Sequence, residues 1–240
     1  MGKRIIIRRR GRGTMTYRAP SHRYAGEIKH RPIDDAEKTG VVYGKVVDLI
    51  HSVGHSAPLA KIKYDNHEVL TAAPVGIRVN DVLASGVDAP VSNGNTLPLK
   101  KIPDGTLVYN LEINPGDGGK LVRTAGNYAR VVSRIGDRIL VRLPSKSERL
   151  FNSESRATIG IIAGGGKKEK PFVKAGKKMH AMRARNKLYP KTSGVAMNAV
   201  DHPFGSGRGR HVGKPKTPPR FASAGRNVGA IHARKTGRGK

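Results

Sequence analysis

The positive charge of this chain lies almost entirely at its two ends, which limits what each part can fold into. Lys and Arg number 46 against 17 Asp and Glu, so the net charge is +29. Residues 1–31 carry +9 and residues 164–240 carry +18, whereas residues 32–163 carry only +2. The middle therefore has the charge balance of an ordinary folded domain, and the ends are cationic arms that repel themselves.

This charge also indicates the class of partner. A chain so basic favours a nucleic acid, because Lys and Arg replace the counterions condensed on phosphates. No membrane partner is predicted, since no apolar run approaches the ~20 residues of a spanning helix. Residues 1–12 lack the apolar core and cleavage site of a signal peptide. The chain has no Cys, which excludes disulfides and thiolate zinc sites and fits a reducing cytoplasm.

The middle of the chain has the pattern of a β protein. Its apolar runs are short, β-branched and separated by turn residues such as Pro103-Asp104-Gly105. Aliphatic and arginine residues alternate through residues 128–143, with a turn at Gly136, which predicts a hairpin with one aliphatic and one basic face. A break near residues 88–95 leaves two groups of strands of similar length. The pattern therefore predicts a mainly β fold of two small barrels.

The C-terminal segment cannot fold in the same way. Glycines 164–166 end the β pattern, and residues 174–187 have the pattern of a short basic helix with Met179 and Met182 on one side. Beyond Pro190 apolar residues are too sparse to offset the entropy lost on ordering. We expect both arms to lack order until a polyanion neutralises them, with glycines allowing close approach of the backbone to phosphates.

Motifs for catalysis or metal binding are weak. The glycine-rich run 160–168 lacks the spacing and hydroxyl of a phosphate-binding P-loop, and His51 and His55 have no evident third metal ligand. Asp201-His202 is the best candidate for chemistry, if a sharp turn lets the carboxylate orient the imidazole. A catalytic base needs a dry, preorganised pocket, which a Gly/Arg-rich arm does not build alone. We therefore predict no metal site and no cofactor, and expect His202 to donate to an RNA phosphate or base.

Five segments of the chain carry a resemblance to one family. They read APSHRY (19–24), PGDGGKLVRTAG (115–126), SRATIG (155–160), TSGVAMNAVDHP (192–203) and HVGKPK (211–216). The fourth resembles the signature of the universal large-subunit ribosomal protein two family, and the second and third are similar to its second barrel. The first and last are similar to its archaeal and eukaryotic branch. Around the tail turn, Ala199, Ser206 and residues 207–210 depart from the family pattern.

The resemblance implies a fold and a division into domains. It implies a mainly β chain with an OB-fold barrel followed by an SH3-like barrel and long, basic, irregular N- and C-terminal extensions. On this basis the N-terminal extension spans residues 1–37 and the OB-fold-like barrel spans residues 38–90. The SH3-like barrel spans residues 91–165, and residues 166–240 form an extension that penetrates rRNA.

The resemblance also implies a function. It predicts a structural constituent of the large ribosomal subunit in the cytoplasm, a primary rRNA-binding protein that supports subunit association, tRNA placement and the peptidyl transferase region. Its partners are large-subunit rRNA, small-subunit rRNA at the subunit interface, and neighbouring ribosomal proteins. No enzyme activity is predicted, because the reaction centre itself is RNA.

Two alternatives stay open. One is a supporting catalytic role for His202, since the family's histidine at this position has been linked to peptide-bond formation. The other is DNA packaging. Irregular arms suit the deep crevices of folded RNA more than the repeating grooves of duplex DNA, which favours RNA.

We predict rRNA contacts from basic residues in the arms, on exposed strand faces and beside glycine-rich turns, and from polar residues of the tail signature. In the N-terminal arm these are Arg8, Arg9, Arg10, Arg12, Arg18, His22 and Arg23. In the barrels they are Arg123, Arg130 and Arg156. In the C-terminal arm they are Lys177, Lys178, Arg183, Arg185, Asn198, Asp201, His202, Arg208, Arg210, His211, Lys214 and Lys216.

Overall fold

The structure is a computed structural model whose contacts divide the chain into two compact units. Residues 21–171 form one, the β unit, and residues 1–20 with 172–240 form the other, the arm unit. In the described ranges, every helix is too short or too polar to cross a membrane. The structure describes residues 2–10, 12–15, 17–65, 67–167, 169–213, 215, 217, 221–222 and 228–229.

The described part of the β unit is built on one continuous sheet. The strands, in chain order, are β1 (Val41–Ile50), β2 (Leu59–Lys63), β3 (Glu68–Ala72), β4 (Val82–Gly86), β5 (Thr96–Pro98), β6 (Leu107–Tyr109), β7 (Ala129–Ile135), β8 (Arg138–Arg142), β9 (Glu148–Asn152) and β10 (Arg156–Ile159). Among the described residues of both units, the helices are α1 (Ile6–Arg10), α2 (Asp35–Thr39) and α3 (Ala175–Arg183), with 3₁₀ turns at Ser21–Arg23, Leu99–Lys101 and Gly194–Ala196. Of these, α1, α3 and the last turn lie in the arm unit.

The strand order is β3-β2-β1-β4-β5-β10-β6-β7-β8-β9. Neighbouring strands run antiparallel, except that β4 and β5 are parallel. The sheet therefore has two antiparallel parts, β1–β4 and β5–β10, joined where β4 meets β5. This arrangement confirms the predicted mainly β class and agrees with an OB-fold barrel followed by an SH3-like barrel.

The predicted hairpin is present as β7 and β8. Val131 and Val141 are directly opposite each other in the ladder, so their side chains lie on the same face, and both are buried. The alternation breaks at a bulge between Val131 and Ser133. Beyond this bulge Ile135 is 54% exposed, although the sequence pattern placed it on the buried face. A bulge adds one residue and reverses the faces that follow, so strict alternation gave the wrong side there.

The core consists of three small clusters. One lies among β1–β4 and includes Val46, Ile62 and Leu83. A second, larger cluster is built mostly by β5–β10. The third joins the two parts, since Leu59 of β2 packs with Tyr109 of β6. The two halves of the sheet are therefore held together by apolar contacts, and the exact boundary between the barrels stays a prediction.

A segment that the sequence assigned to the N-terminal extension packs into the β unit. Ile28, His30, Arg31 and Glu37 are all less than 9% exposed. The Asp34 side chain accepts a hydrogen bond from the Glu37 backbone N–H and so caps the start of α2. By its contacts the β unit begins at residue 21, and the start of the OB-fold-like barrel at residue 38 stays a prediction.

The arm unit is formed by both ends of the chain. Its helix α3 confirms the basic helix predicted within residues 174–187. The Lys3 backbone N–H donates to the Val200 carbonyl at 2.7 Å, and the Asn186 amide donates to the Arg18 carbonyl at 2.7 Å. The N-terminal arm therefore lies along the C-terminal arm, an association that the sequence did not predict.

Candidate nucleic-acid interface

Two of the three predicted barrel arginines are on the surface. Arg123 is exposed, and its guanidinium also donates to the Ile28 carbonyl at 3.3 Å. Arg130 is exposed on β7 and lies directly across the ladder from Arg142 of β8. Both predicted residues are therefore positioned where a phosphate can reach them.

The third, Arg156, lies in the interior. It is 5% exposed, and its guanidinium donates to both Glu37 oxygens at 3.0 and 3.1 Å and to Glu112 at 2.7 Å. These two carboxylates are buried as well, and a buried charge requires a partner. The prediction that Arg156 contacts rRNA is therefore corrected: its guanidinium pairs with two buried glutamates inside the β unit. The buried Arg31, 3.6 Å from Glu37, supplies the second positive charge.

Burial and the charge of Arg156 shift the pKa values of its neighbours Glu112 and His30. Burial alone raises the pKa of Glu112, but hydrogen bonds and charge from Arg156 outweigh it and lower that pKa below its ordinary value. The Gly116 and Gly118 backbone N–H groups also donate to Glu112, at 3.2 and 3.1 Å. Burial, together with repulsion from Arg156, lowers the pKa of His30 to about 4. His30 is thus neutral at pH 7, and the cluster is structural.

The predicted residues of the N-terminal arm are mostly exposed. Arg8, Arg9 and Arg10 occupy the last turn of α1, where cations interact favourably with the carbonyl end of a helix. Arg10 is half-buried. The remaining members are all exposed and lie outside the α-helices: Arg12, Arg18, His22 and Arg23.

The predicted residues of α3 also face outward. Lys177, Lys178 and Arg183 are exposed, and Arg185 just beyond the helix is half-buried. The Lys178 ammonium lies 5.5 Å from the centre of the Tyr189 ring, a cation–π contact. The helix therefore presents a basic surface on which Lys178 is held against the Tyr189 ring.

The tail signature folds into a turn around His202. The Asn198 carbonyl accepts from the Asp201 and His202 backbone N–H groups at 3.0 and 3.1 Å. The His202 ring lies against the backbone of Gly194, where a Cβ would overlap it. Its Nδ1 accepts a hydrogen bond from the Phe204 backbone N–H at 3.0 Å. The glycine and the turn together hold the imidazole in one orientation.

This geometry decides which nitrogen of His202 can donate. A neutral imidazole has one donor and one acceptor nitrogen, and Nδ1 is the acceptor here, so the proton is on Nε2. Burial lowers the pKa of His202, which favours the neutral form at pH 7. Asp201 forms an ion pair with Lys3 at 3.8 Å, and among the described residues no carboxylate hydrogen bond orients the imidazole. The arrangement therefore suits a hydrogen-bond donor better than a proton acceptor.

The last predicted residues follow the turn. Arg208, Arg210 and His211 are exposed, and Lys214 and Lys216 lie outside the described residues.

The histidine pair His51 and His55 gives no sign of a metal site. His55 Nδ1 lies 2.8 Å from the Ser52 hydroxyl. In the part of the chain that the structure describes, no group of three or more His, Cys, Asp or Glu is arranged to hold a metal ion.

A cleft that the sequence did not predict lies beside Arg130. Tyr128, Arg142 and Lys146 line it with Arg130, in a volume of about 580 Å³. The available signal was the pair of arginines at matching positions of the predicted hairpin. Tyr128 and Lys146 had no such signal, since only the folded turns bring them alongside.

Comparison with known proteins gives a consistent result. Residues 92–221 match the family described as Ribosomal Proteins L2, C-terminal domain. Proteins named large ribosomal subunit protein uL2 are similar over the whole chain. That of Methanocaldococcus jannaschii is 54% identical over 239 residues, covering 99% of each chain. Those of Methanosphaera stadtmanae and Methanococcus maripaludis are each 52% identical over 239 residues, covering 99% of this chain and 99% and 100% of theirs.

Proposed function

This chain belongs to the archaeal branch of the uL2 family of large-ribosomal-subunit proteins, and we propose that it binds large-subunit rRNA directly. It is a structural protein of the ribosome. The uL2 proteins of Methanosphaera stadtmanae and Methanocaldococcus jannaschii are similar to it over 99% of each chain. The observation that carries the proposal is the charge distribution. Arms of +9 and +18 flank a middle of +2, and most of their described cationic side chains are exposed.

The two units have different parts in this function. The β unit supplies a rigid body that recognises RNA shape and backbone, through exposed residues such as Arg123 and Arg130. The arm unit neutralises phosphates, because nearly every described basic side chain in it is exposed. The orientation of His202 supports a hydrogen bond from Nε2 to an RNA phosphate or carbonyl oxygen. We assign the chain no catalytic activity of its own.

We also propose particular roles for the protein within the ribosome. Within the particle the protein supports subunit association, tRNA placement and the peptidyl transferase region, with neighbouring ribosomal proteins and small-subunit rRNA among its contacts. The OB-fold-like barrel at residues 38–90 and the SH3-like barrel at residues 91–165 agree with the two antiparallel parts of the sheet. The residues at 166–240 are the extension that penetrates rRNA.

Filter binding of the full chain to large-subunit rRNA over a salt series tests the proposal. We expect the affinity to fall by roughly 10³-fold or more between 50 and 200 mM salt, the loss typical of six to ten phosphate contacts. Duplex DNA of matched length is the control, and at equal salt the protein should prefer rRNA. Equal affinity for both would favour DNA packaging, and salt-independent or undetectable rRNA binding would contradict the proposal.

A further inference from the structure

The cleft at the open end of the β7–β8 hairpin has the features of a binding site. We define the Tyr128 cleft by its lining residues Tyr128, Arg130, Arg142, Leu143, Lys146 and Glu148. Its volume of about 580 Å³ falls within the range of roughly 300–1,000 Å³ that is typical of small-ligand pockets. The cleft is therefore large enough for one nucleotide.

The cleft has an excess of positive charge. Arg130 and Arg142 lie directly opposite each other on β7 and β8, and like charges so placed destabilise a sheet. Glu148 lies opposite Arg142 on β9 and accepts from its guanidinium at 2.9 and 2.7 Å, so it neutralises that arginine. Within the described residues, Arg130 and Lys146 have no carboxylate partner. An anion bound beside Arg130 and Lys146 would neutralise this remaining positive charge.

The cleft also has an exposed aromatic ring. Tyr128 is 44% exposed and lies immediately before β7, beside the positive charges. The turn before it is held by Gly126, whose N–H donates to the Ile162 carbonyl at 2.9 Å and whose φ is +71°. The backbone therefore fixes the position of Tyr128 while its ring stays accessible. An accessible aromatic ring next to cations is the combination that binds a base and its phosphate.

We propose that the Tyr128 cleft binds a single unpaired RNA nucleotide. The base stacks on the Tyr128 ring, and Arg130 and Lys146 hold its phosphate. An A-form duplex offers phosphates but keeps its base faces stacked, so it satisfies only the charged half of the cleft. This inference rests on the proposed function and deepens it, because it assigns an unpaired nucleotide to one place on the β unit.

Fluorine NMR of the full chain tests the proposal at the cleft itself. The seven tyrosines are replaced by 3-fluorotyrosine, and the resonance lost in Tyr128→Phe is assigned to Tyr128. We expect single-stranded tetra-adenylate to shift this resonance. An RNA duplex at the same total phosphate concentration, inorganic phosphate and a tetraglutamate peptide should leave it nearly unchanged. This local readout separates the cleft from binding by the arms.

A matched pair of variants checks the role of the cations. Arg130→Gln removes a charge from the cleft, and we expect it to raise the apparent Kd read at Tyr128 by roughly tenfold or more, the loss typical of one hydrogen bond to a charged group. Arg138→Gln removes an exposed charge at the other end of the same hairpin and should leave this Kd unchanged. The resonances of the buried Tyr64 and Tyr109 report whether each variant is folded.

Each other outcome overturns the inference. No shift with tetra-adenylate means no base site, and an equal shift with duplex means a phosphate site alone. A shift with tetraglutamate assigns the cleft to an acidic peptide. If the full chain still binds rRNA in the filter assay, these results contradict only the Tyr128 cleft; loss of rRNA binding contradicts the proposed function as well.

Discussion

At the residue scale, the guanidinium of Arg156 joins three parts of the β unit. It contacts Glu37 on α2, Glu112 beyond β6 and the Arg31 carbonyl at 2.7 Å. The Ser85 hydroxyl of β4 donates to Glu37 at 2.6 Å and completes the pairing. Each buried charge is thus matched by hydrogen bonds from separate elements, which is the condition for tolerating charges in an interior.

Replacing Arg156 should strongly destabilise the β unit. We expect Arg156→Met to lower the free energy of unfolding by about 3–5 kcal/mol, because it leaves the buried Glu112 without its cation and Glu37 with Arg31 alone. Urea unfolding at pH 7 measures the change. The control is Arg138→Met, an exposed arginine on β8, which should cost less than about 0.5 kcal/mol. A loss below about 1 kcal/mol for Arg156→Met would mean that the ion cluster is not important for stability.

His30 should make stability depend on pH. Its folded pKa of about 4 lies below the ordinary 6.5, so between these values the unfolded chain binds a proton that the folded chain does not. The contribution is fully present above pH 6.5 and is lost as the pH falls toward 4. From pH 7 to pH 5 we expect a loss of about 2 kcal/mol from this group. Urea unfolding at both pH values checks it.

His30→Gln is the matched variant, because the Gln amide can still donate to the Asn110 carbonyl that His30 Nε2 contacts at 2.6 Å. It removes the titration, so the variant should lose less stability than the parent between pH 7 and pH 5. Parallel pH curves for parent and variant would rule out a neutral, buried His30.

Gly194 and His202 allow a test of the tail turn. Gly194→Ala places a Cβ into the His202 ring, so we expect reduced incorporation of the protein into large subunits. His202→Gln keeps a donor near the Nε2 position, and particles that contain it should retain the rate of peptide-bond formation. Quantitative mass spectrometry measures incorporation, and single-turnover assays measure the rate. A slow reaction in fully assembled His202→Gln particles would support the catalytic alternative.

At the element scale, the β7–β8 hairpin shows how a strand irregularity shapes a surface. The bulge between Val131 and Ser133 separates the start of β7, where Arg130 faces Arg142, from its end, where Ile135 faces Arg138. Bulges increase local twist and change the direction of side chains. The basic face is therefore divided, and only the part near Tyr128 lines the cleft.

At the scale of the whole molecule, buried apolar side chains and excess positive charge lie in different parts of the chain. The β unit contains nearly all of the buried apolar side chains, and in the arm unit only Ile5 is a buried apolar residue among those described. Hydrophobic burial therefore stabilises the β unit, whereas the arms depend on neutralisation.

This separation predicts different hydrogen exchange for the two units. In the free protein we expect rapid exchange through the arms and slow exchange in the strands, since the arms bury too little apolar surface to resist opening. Adding large-subunit rRNA should slow exchange in both arms together, because Lys3 hydrogen-bonds the tail at Val200. Exchange followed by mass spectrometry checks this. Fully protected arms without RNA would contradict the idea that rRNA supplies their order.

The sequence by itself determined the properties that follow from local pattern and composition. It predicted the basic arms, the mainly β class, the β7–β8 hairpin and the basic helix α3, and its motifs indicated the family. Each of these depends on residues that are close together along the chain, so periodicity and charge are sufficient to read it.

Only the tertiary structure decided which distant residues meet. The sequence pattern predicted a surface position for Arg156. In the fold it is surrounded by Glu112 and Glu37, which are 44 and 119 residues away along the chain. The same holds for the contact of Lys3 with Val200 and for the Tyr128 cleft, where separate turns converge. The physical reason is that a buried charge needs a partner inside the protein, whereas an exposed charge is free to bind a phosphate. Burial depends on how elements pack and not on the local sequence.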